Sequence, residues 1–88
     1  MRDVLFEMNA FNEYHEWVKR DKKIAIKIGV LIIDVVRNPF DGLGKPEPLK
    51  GNYHGYWSRR ISDEHRLIYK VTDTSITISS CYSHYNDK

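Results

Sequence analysis

The chain predicts an α+β fold in which an N-terminal strand leads into a two-helix hairpin packed on a mainly antiparallel, twisted sheet. Three features predict it: a short β-prone opening segment, two stretches with helical spacing of apolar residues, and three later runs that alternate as strands do. Because 88 residues with 41% hydrophobic content cannot supply two cores, we expect one domain over residues 1–88. Within it, we expect residues 86–88 to fray as a terminal tail.

The first twenty residues predict a strand and an amphipathic helix. In residues 3–7, Val4 and Phe6 lie on one side of the backbone and Leu5 lies on the other, as in a strand. From Asn9 onward, apolar side chains recur at i, i+3 and i+7, and this spacing lines one face of a helix with Phe11, Tyr14 and Val18. The apolar face needs a second element to pack on.

A second helix is predicted between Asp21 and Asn38. Asp21 suits an N-cap, and Asn38 stands before Pro39, which a helix rarely passes. Between them, helical spacing is kept by Ile24, Ile28, Leu31, Ile32 and Val35. The two apolar faces together predict a helical hairpin that lies on a sheet.

The second half predicts a loop followed by three antiparallel strands. Residues 41–50 hold two glycines and two prolines, too many for a regular element. Residues 57–61 and 66–71 are extended runs joined by a short turn, which predicts a hairpin. After a further turn, Ile76 and Ile78 alternate with polar residues and predict a third strand.

The composition of the chain indicates where in the cell the protein acts. The longest apolar run covers residues 28–33, far short of the roughly 20 residues of a membrane helix. The N-terminus has no long apolar segment of the kind found in signal peptides. The single cysteine, Cys81, cannot form an internal disulfide. We therefore expect a cytoplasmic protein without a membrane segment.

Charge is distributed unevenly along the chain. Residues 1–44 carry seven Lys or Arg and seven acids, whereas residues 45–70 carry six and three. This local basic excess indicates a polyanionic ligand such as a nucleic acid, and a solvated sheet face is the alternative.

Metal and cofactor chemistry is not indicated. No two of the four histidines have helical metal-ligand spacing, and Gly42 and Gly44 lack the spacing of a phosphate loop. Cys81 and His84 could form a thiol nucleophile and its base, but a packed, inert cysteine is the commoner outcome in an alternating run. We expect no metal and no cofactor.

RNA cleavage fits the residues that remain. Attack by a ribose 2′-hydroxyl on the adjacent phosphate needs a base, a cation and an acid, and requires no metal. Glu47 lies between two prolines, with Lys45 and Lys50 near it in sequence, which suits a carboxylate held over a phosphate. The alternative is a solvated loop acid.

Three arginines lie on the predicted hairpin. Strand alternation sends Arg59 and Arg60 to opposite sheet faces, and the hairpin can bring Arg66 beside one of them. The alternative for these arginines is cross-strand pairing with Asp63 or Glu64.

Four motifs in unbroken order resemble the YoeB/Txe family of toxins, which have the RelE-like fold. They are GKPEPLK at residues 44–50, WSRRI at residues 57–61, EHRLIY at residues 64–69, and His84 with Tyr85. The resemblance also covers the DKK helix start and the NPF helix stop, so it runs over nearly the whole chain. Together the motifs are specific, although each alone is weak.

The resemblance implies a toxin of a bacterial toxin–antitoxin pair that cuts mRNA in the ribosomal A site and inhibits translation. It implies that Glu47 is the general base, His84 the general acid, and Arg66 the group that stabilises the transition-state phosphate. Lys50 and Arg60 match positions that bind the RNA backbone, and Tyr85 matches an aromatic residue that holds the nucleotide. The implied products are a 2′,3′-cyclic phosphate and a 5′-hydroxyl.

The implied partners are a YefM-like antitoxin and a second copy of the chain. An acidic or amphipathic antitoxin segment would cover the basic sheet, and a homodimer would form on the side of the helical hairpin. Two departures from the family pattern are Ser83, which is smaller than usual, and the extension at residues 86–88. Two further functions remain open: a non-catalytic ParE-like toxin that poisons DNA gyrase, and an RNA-binding module that does not cut.

Overall fold

The computed structural model describes residues 1–82 and contains two helices, five strands and a short 3₁₀ turn. The five strands form one sheet in the order β1-β5-β4-β3-β2. Only β1 and β5 pair in parallel; the other neighbours are antiparallel. The elements in chain order are β1 (Asp3–Phe6), α1 (Met8–Arg20), α2 (Lys22–Arg37), β2 (Glu47–Pro48), the 3₁₀ turn (Gly51–Tyr53), β3 (Tyr56–Arg60), β4 (Arg66–Val71) and β5 (Ser75–Ser80). The predicted α+β fold is confirmed.

The junction between the helices depends on Asp21, as predicted. Its side chain accepts hydrogen bonds from the backbone amides of Lys23 (3.2 Å) and Ile24 (3.4 Å), which caps α2. Its own amide donates to the carbonyl of Trp17 (2.8 Å) and closes α1. One residue therefore ends one helix and starts the next, and this keeps the hairpin tight.

The core lies between the helices and one face of the sheet. From α2, Ile28 and Val35 are completely buried, as are Leu67 on β4 and Ile76 on β5. The indole of Trp17 on α1 donates to the carbonyl of Cys81 (2.9 Å), so the first helix is also tied to the end of β5. The helices therefore cover one sheet face, which we call the helix face.

The prediction that residues 41–50 form a loop is wrong for Glu47 and Pro48. Glu47–Pro48 form β2, which pairs with Ser58 and Trp57 of β3 at the edge of the sheet. Pro48 is tolerated because an edge strand needs no donor from every residue. The pairing partner lies about ten residues further along the chain, so local composition does not reveal it.

The helices are short relative to a lipid bilayer. Neither helix within residues 1–82 is long and apolar enough to cross a membrane.

Candidate active site

The sheet has a second face, opposite the helices, which we call the open face. Side chains alternate between the two faces along β3, and the two arginines differ accordingly: Arg59 is 0% exposed on the helix face, whereas Arg60 is exposed. The predicted separation of the two arginines is therefore confirmed. Tyr56 and Ser58 share the open face with Arg60.

Strand register brings three predicted site residues to neighbouring positions of the open face. Glu47 on β2 lies opposite Ser58, and Arg60 on β3 lies opposite Arg66 on β4. In antiparallel pairs, directly opposed residues have Cβ atoms about 4.5–5.5 Å apart, and diagonal neighbours lie about 7–8 Å apart, with a somewhat shorter Cβ–Cβ distance. Glu47 and Arg60 are diagonal neighbours. A carboxylate and two guanidinium groups therefore form a row across β2, β3 and β4, which we call the open-face row.

Arg66 is the best-anchored member of this row. Its Nη1 donates to the carbonyl of Ser62 (2.8 Å) and to those of Asp63 and His65 (both 3.2 Å). Among the described residues, its Nε and Nη2 make no hydrogen bond. The hairpin turn thus holds the guanidinium through Nη1, and Nε and Nη2 have no partner within residues 1–82, which suits a group that binds a phosphate.

Lys45 and Lys50 lie on either side of β2, and both are exposed. The carbonyl of Gly44 accepts from the amide of Arg60 (2.7 Å), which holds Lys45 next to the end of β3. A Cβ on Gly44 would approach the carbonyl oxygen of Arg60 at 3.0 Å and the Leu31 side chain at 3.1 Å, and Gly44 has φ +79°. Glycine is therefore needed for this close approach.

Arg59 has a structural role that the sequence did not show. Its Nη1 donates to Asp34 (2.5 Å) and its Nε to the hydroxyl of Tyr69 (3.2 Å). It also donates to the carbonyls of Asn38, Asp41 and Leu43. Pairing of Arg59 with Asp63 or Glu64 was therefore wrong, because Asp34 of α2 is its partner.

Two groups bonded to Arg59, the Asp34 carboxylate and the Tyr69 hydroxyl, have shifted pKa values. A hydrogen bond from the Leu43 amide, and then the bond from Arg59, hold the pKa of Asp34 below its ordinary value. Burial raises the pKa of Tyr69, whose hydroxyl donates to the carbonyl of Pro39 (2.7 Å). These bonds tie the segment after α2 to the sheet, and that segment leads directly to Glu47.

Two predicted site residues, His84 and Tyr85, lie outside the described residues. Cys81, which the nucleophile alternative requires, is completely buried, and its thiol contacts the carbonyl of Ala10 at 3.6 Å. Burial, with a smaller contribution from the charge of Glu13, raises the pKa of the Cys81 thiol to about 12. A thiol of this kind is not a ready nucleophile, and the prediction of a packed cysteine is confirmed.

The open face also carries an aromatic and cationic group that the sequence pattern did not indicate. Tyr56 lies opposite Lys70, whose ammonium is 5.4 Å from the centre of the Tyr56 ring. The ring of Tyr53 meets that of Tyr56 edge-on, with 6.1 Å between centroids. Alternation alone could have placed Tyr56 with Arg60, but the register with β4 was needed to add Lys70.

Comparison with known proteins agrees with the motifs. Residues 6–85 match the model of the YoeB-like toxins of bacterial type II toxin–antitoxin systems. Toxin YoeB of Escherichia coli strain K12 is 50% identical over 82 residues, which covers 93% of this chain and 98% of that toxin. The predicted resemblance is confirmed.

Solved structures agree as well. The YoeB dimer from Staphylococcus aureus superposes with a TM-score of 0.89 at 46% identity, covering 96% of this chain and 98% of that chain. The YoeB–YefM complex from the same organism gives a TM-score of 0.88 at 44% identity, and the match covers 97% of this chain and 99% of that chain. Motifs, fold and comparisons together lead to one conclusion: the chain belongs to the YoeB-like toxins of bacterial type II toxin–antitoxin systems.

Proposed function

We propose that the protein is a metal-independent endoribonuclease that cuts mRNA in the A site of the ribosome and so inhibits translation. The observation that carries the proposal is the open-face row, in which Glu47, Arg60 and Arg66 occupy neighbouring positions on three strands. Membership of the YoeB-like toxins supports it.

The reaction needs only side-chain acid–base chemistry. Glu47 accepts the proton of the ribose 2′-hydroxyl while that oxygen bonds to phosphorus, and the bond from phosphorus to the 5′-oxygen breaks. His84 donates the proton to this leaving oxygen, a role that rests on the family motif. Arg66 stabilises the negative charge that develops on the phosphate oxygens. The products are a 2′,3′-cyclic phosphate and a 5′-hydroxyl.

RNA is held by the cations and aromatic groups around the row. Lys45, Lys50 and Arg60 bind the RNA backbone, because phosphate contacts position a strand without reading its sequence. Tyr85 holds a nucleotide, as its family motif implies. Tyr56 adds a second aromatic surface on which a base can stack.

The ribosome would exclude water from the open-face row and orient the mRNA, because the row alone is exposed to solvent. Glu47 and Arg60 are exposed to water, where two charges 4 Å apart interact by only about 1 kcal/mol, whereas the interaction is several times stronger once water is excluded. Docking in the A site would exclude water and orient the mRNA for in-line attack. We therefore expect a short free RNA to be cut much more slowly than mRNA on the ribosome, and equal rates would contradict this assistance.

The decisive experiment maps mRNA 5′ ends in bacteria after induction of the toxin. We expect new 5′-hydroxyl ends inside translated codons, and about 100-fold to 10,000-fold less cleavage with Glu47→Gln, since the general base is lost. Asp73→Asn, an exposed change in the turn before β5, is the matched control and should cut normally. Full toxicity of Glu47→Gln would indicate a non-cutting RNA binder, and DNA damage without mRNA cleavage would indicate a gyrase poison.

We propose further that this chain acts in the cytoplasm and has two protein partners. The relative from Staphylococcus aureus is known as a dimer and in complex with YefM, which supports a YefM-like antitoxin and a second copy as partners of this chain. The basic open face is the surface on which an acidic antitoxin segment would block the row. Action on the ribosome requires the protein to be cytoplasmic.

A further inference from the structure

Helix α2 is apolar on two opposite sides. Its core side is buried, as Ile28 and Val35 show. On the opposite side, Ile26, Val30 and Ile33 are 68%, 48% and 59% exposed. Their spacing of i, i+4 and i+7 aligns them along one line of the helix, which we call the outer stripe. A helix that is apolar on both sides is typically covered on both sides.

A second helix can approach the backbone of α2 closely at the middle of the outer stripe. Gly29 lies beside Val30, and a Cβ built at Gly29 would meet no atom within 4 Å. The backbone of α2 is therefore accessible here, and small residues at such positions allow a second helix to pack closely. The stripe offers the i, i+4, i+7 pattern that helix-in-groove recognition uses.

Positive charge surrounds the outer stripe. Lys22 and Lys23 stand at its N-terminal end, Lys27 beside its middle, and Arg37 at its C-terminal end, and all four are exposed. None of the four makes a salt bridge with another described residue. The acid of α2, Asp34, is already bonded to Arg59. The surface is thus an apolar line with a cationic border.

We propose that the outer stripe binds an acidic amphipathic helix of a partner protein. Such a helix has apolar residues at i, i+4 and i+7, which pack on the stripe, and Asp or Glu at its flanks, which meet the cationic border. The positive charges around the stripe favour such a partner over a second copy of the chain. An antiparallel pair of α2 helices with Ile26 opposite Ile33 would place Lys22 beside Arg37 of the second copy, and like charges there disfavour the pairing. The homodimer expected on the side of the helical hairpin therefore uses other residues of that hairpin.

The position of the stripe has a functional consequence. The outer stripe faces away from the core side of α2, and the core and the sheet lie between it and the open-face row. A helix bound there leaves Glu47 and Arg66 uncovered. The proposal is therefore independent of the cleavage chemistry, and this surface attaches a partner without blocking the row.

The test uses a fluorescein-labelled synthetic 18-residue helical peptide with leucines at i, i+4, i+7 and i+11 and glutamates at the flanks. A matched peptide carries lysines in place of the glutamates. Fluorescence anisotropy with the full-length protein should show about tenfold or tighter binding of the acidic peptide. The double variant Ile26→Ser with Ile33→Ser should lose about tenfold or more in affinity, because the apolar anchors are gone. Leu5→Ser with Met8→Ser, which changes two similarly exposed apolar residues elsewhere, should bind as the original protein does.

A second variant tests the charges without touching the stripe. Lys22→Glu with Lys27→Glu leaves two cations and two carboxylates around the stripe, so it should abolish the preference for the acidic peptide. Unchanged binding after the serine substitutions, or no preference for the acidic peptide, would overturn the proposal. So would sedimentation that shows a dimer dissociated by those substitutions, which would make a second copy the occupant. Binding to anionic phosphatidylserine vesicles through the stripe, with no binding of the acidic peptide, would also overturn it.

Discussion

Removal of Asp34 should destabilise the protein strongly, although Asp34 is not part of the open-face row. Asp34→Ala breaks the bond from Arg59 (2.5 Å) and the bond from the Leu43 amide (3.0 Å). The guanidinium left behind is 0% exposed. Breaking a buried ion pair by removing one partner costs about 3–5 kcal/mol. Arg59 keeps four other acceptors, so we expect the lower end, about 3 kcal/mol in the free energy of unfolding.

The assay is equilibrium unfolding in urea, followed by circular dichroism, with a thermal scan in parallel. A loss of about 3 kcal/mol corresponds to a fall in Tm of roughly 12–24 °C for a domain of this size. Asp34→Asn keeps an acceptor for the Leu43 amide and should cost less, about 1–2 kcal/mol. A loss below about 1 kcal/mol for Asp34→Ala would refute the buried pair as a main support of the segment after α2.

The dependence on pH gives an independent check of the same pair. The pKa of Asp34 is lowered in the folded protein, so its ionised form stabilises the fold above the unfolded pKa of about 3.9. This contribution is lost as the pH falls through the lower, folded pKa. The stability difference between the original protein and Asp34→Asn should therefore be largest near neutral pH and shrink below about pH 4. A difference that grows on acidification would contradict the assignment.

Three further predictions concern the loop, the thiol and the open face. Gly44→Ala should destabilise the protein by about 1–3 kcal/mol in urea unfolding, since it combines a positive φ with close contacts, whereas Gly55→Ala, with a positive φ and open space, should cost less. Cys81 should react with iodoacetamide at pH 8 only after unfolding, because its pKa is about 12, and rapid alkylation of the native protein, followed by mass spectrometry, would contradict its burial. Tyr56→Leu and Lys70→Ala should each weaken binding of a labelled RNA oligonucleotide several-fold while leaving thermal stability nearly unchanged, and unaltered affinity would exclude this group from the RNA surface.

Part of the candidate site could be predicted from local pattern. Strand alternation has a period of two, so the opposite orientations of Arg59 and Arg60 follow from the sequence alone. The contact partners of each arginine do not follow from the sequence alone. Asp34 lies 25 residues before Arg59 on another element, and no local pattern links them. The same limit applies to Lys70, which lies beside Tyr56 only because of the register of β3 and β4.

The sequence by itself determined the α+β class, the two helices, the Asp21 cap and the family, because these depend on short-range spacing and on motifs in fixed order. Only the tertiary structure decided that Glu47 belongs to an edge strand, that Arg59 is buried against Asp34, and that the second apolar side of α2 is exposed among residues 1–82. Each of these depends on contacts between residues distant in sequence. Local propensity shows which residues can form an element, whereas packing and register decide what each side chain faces.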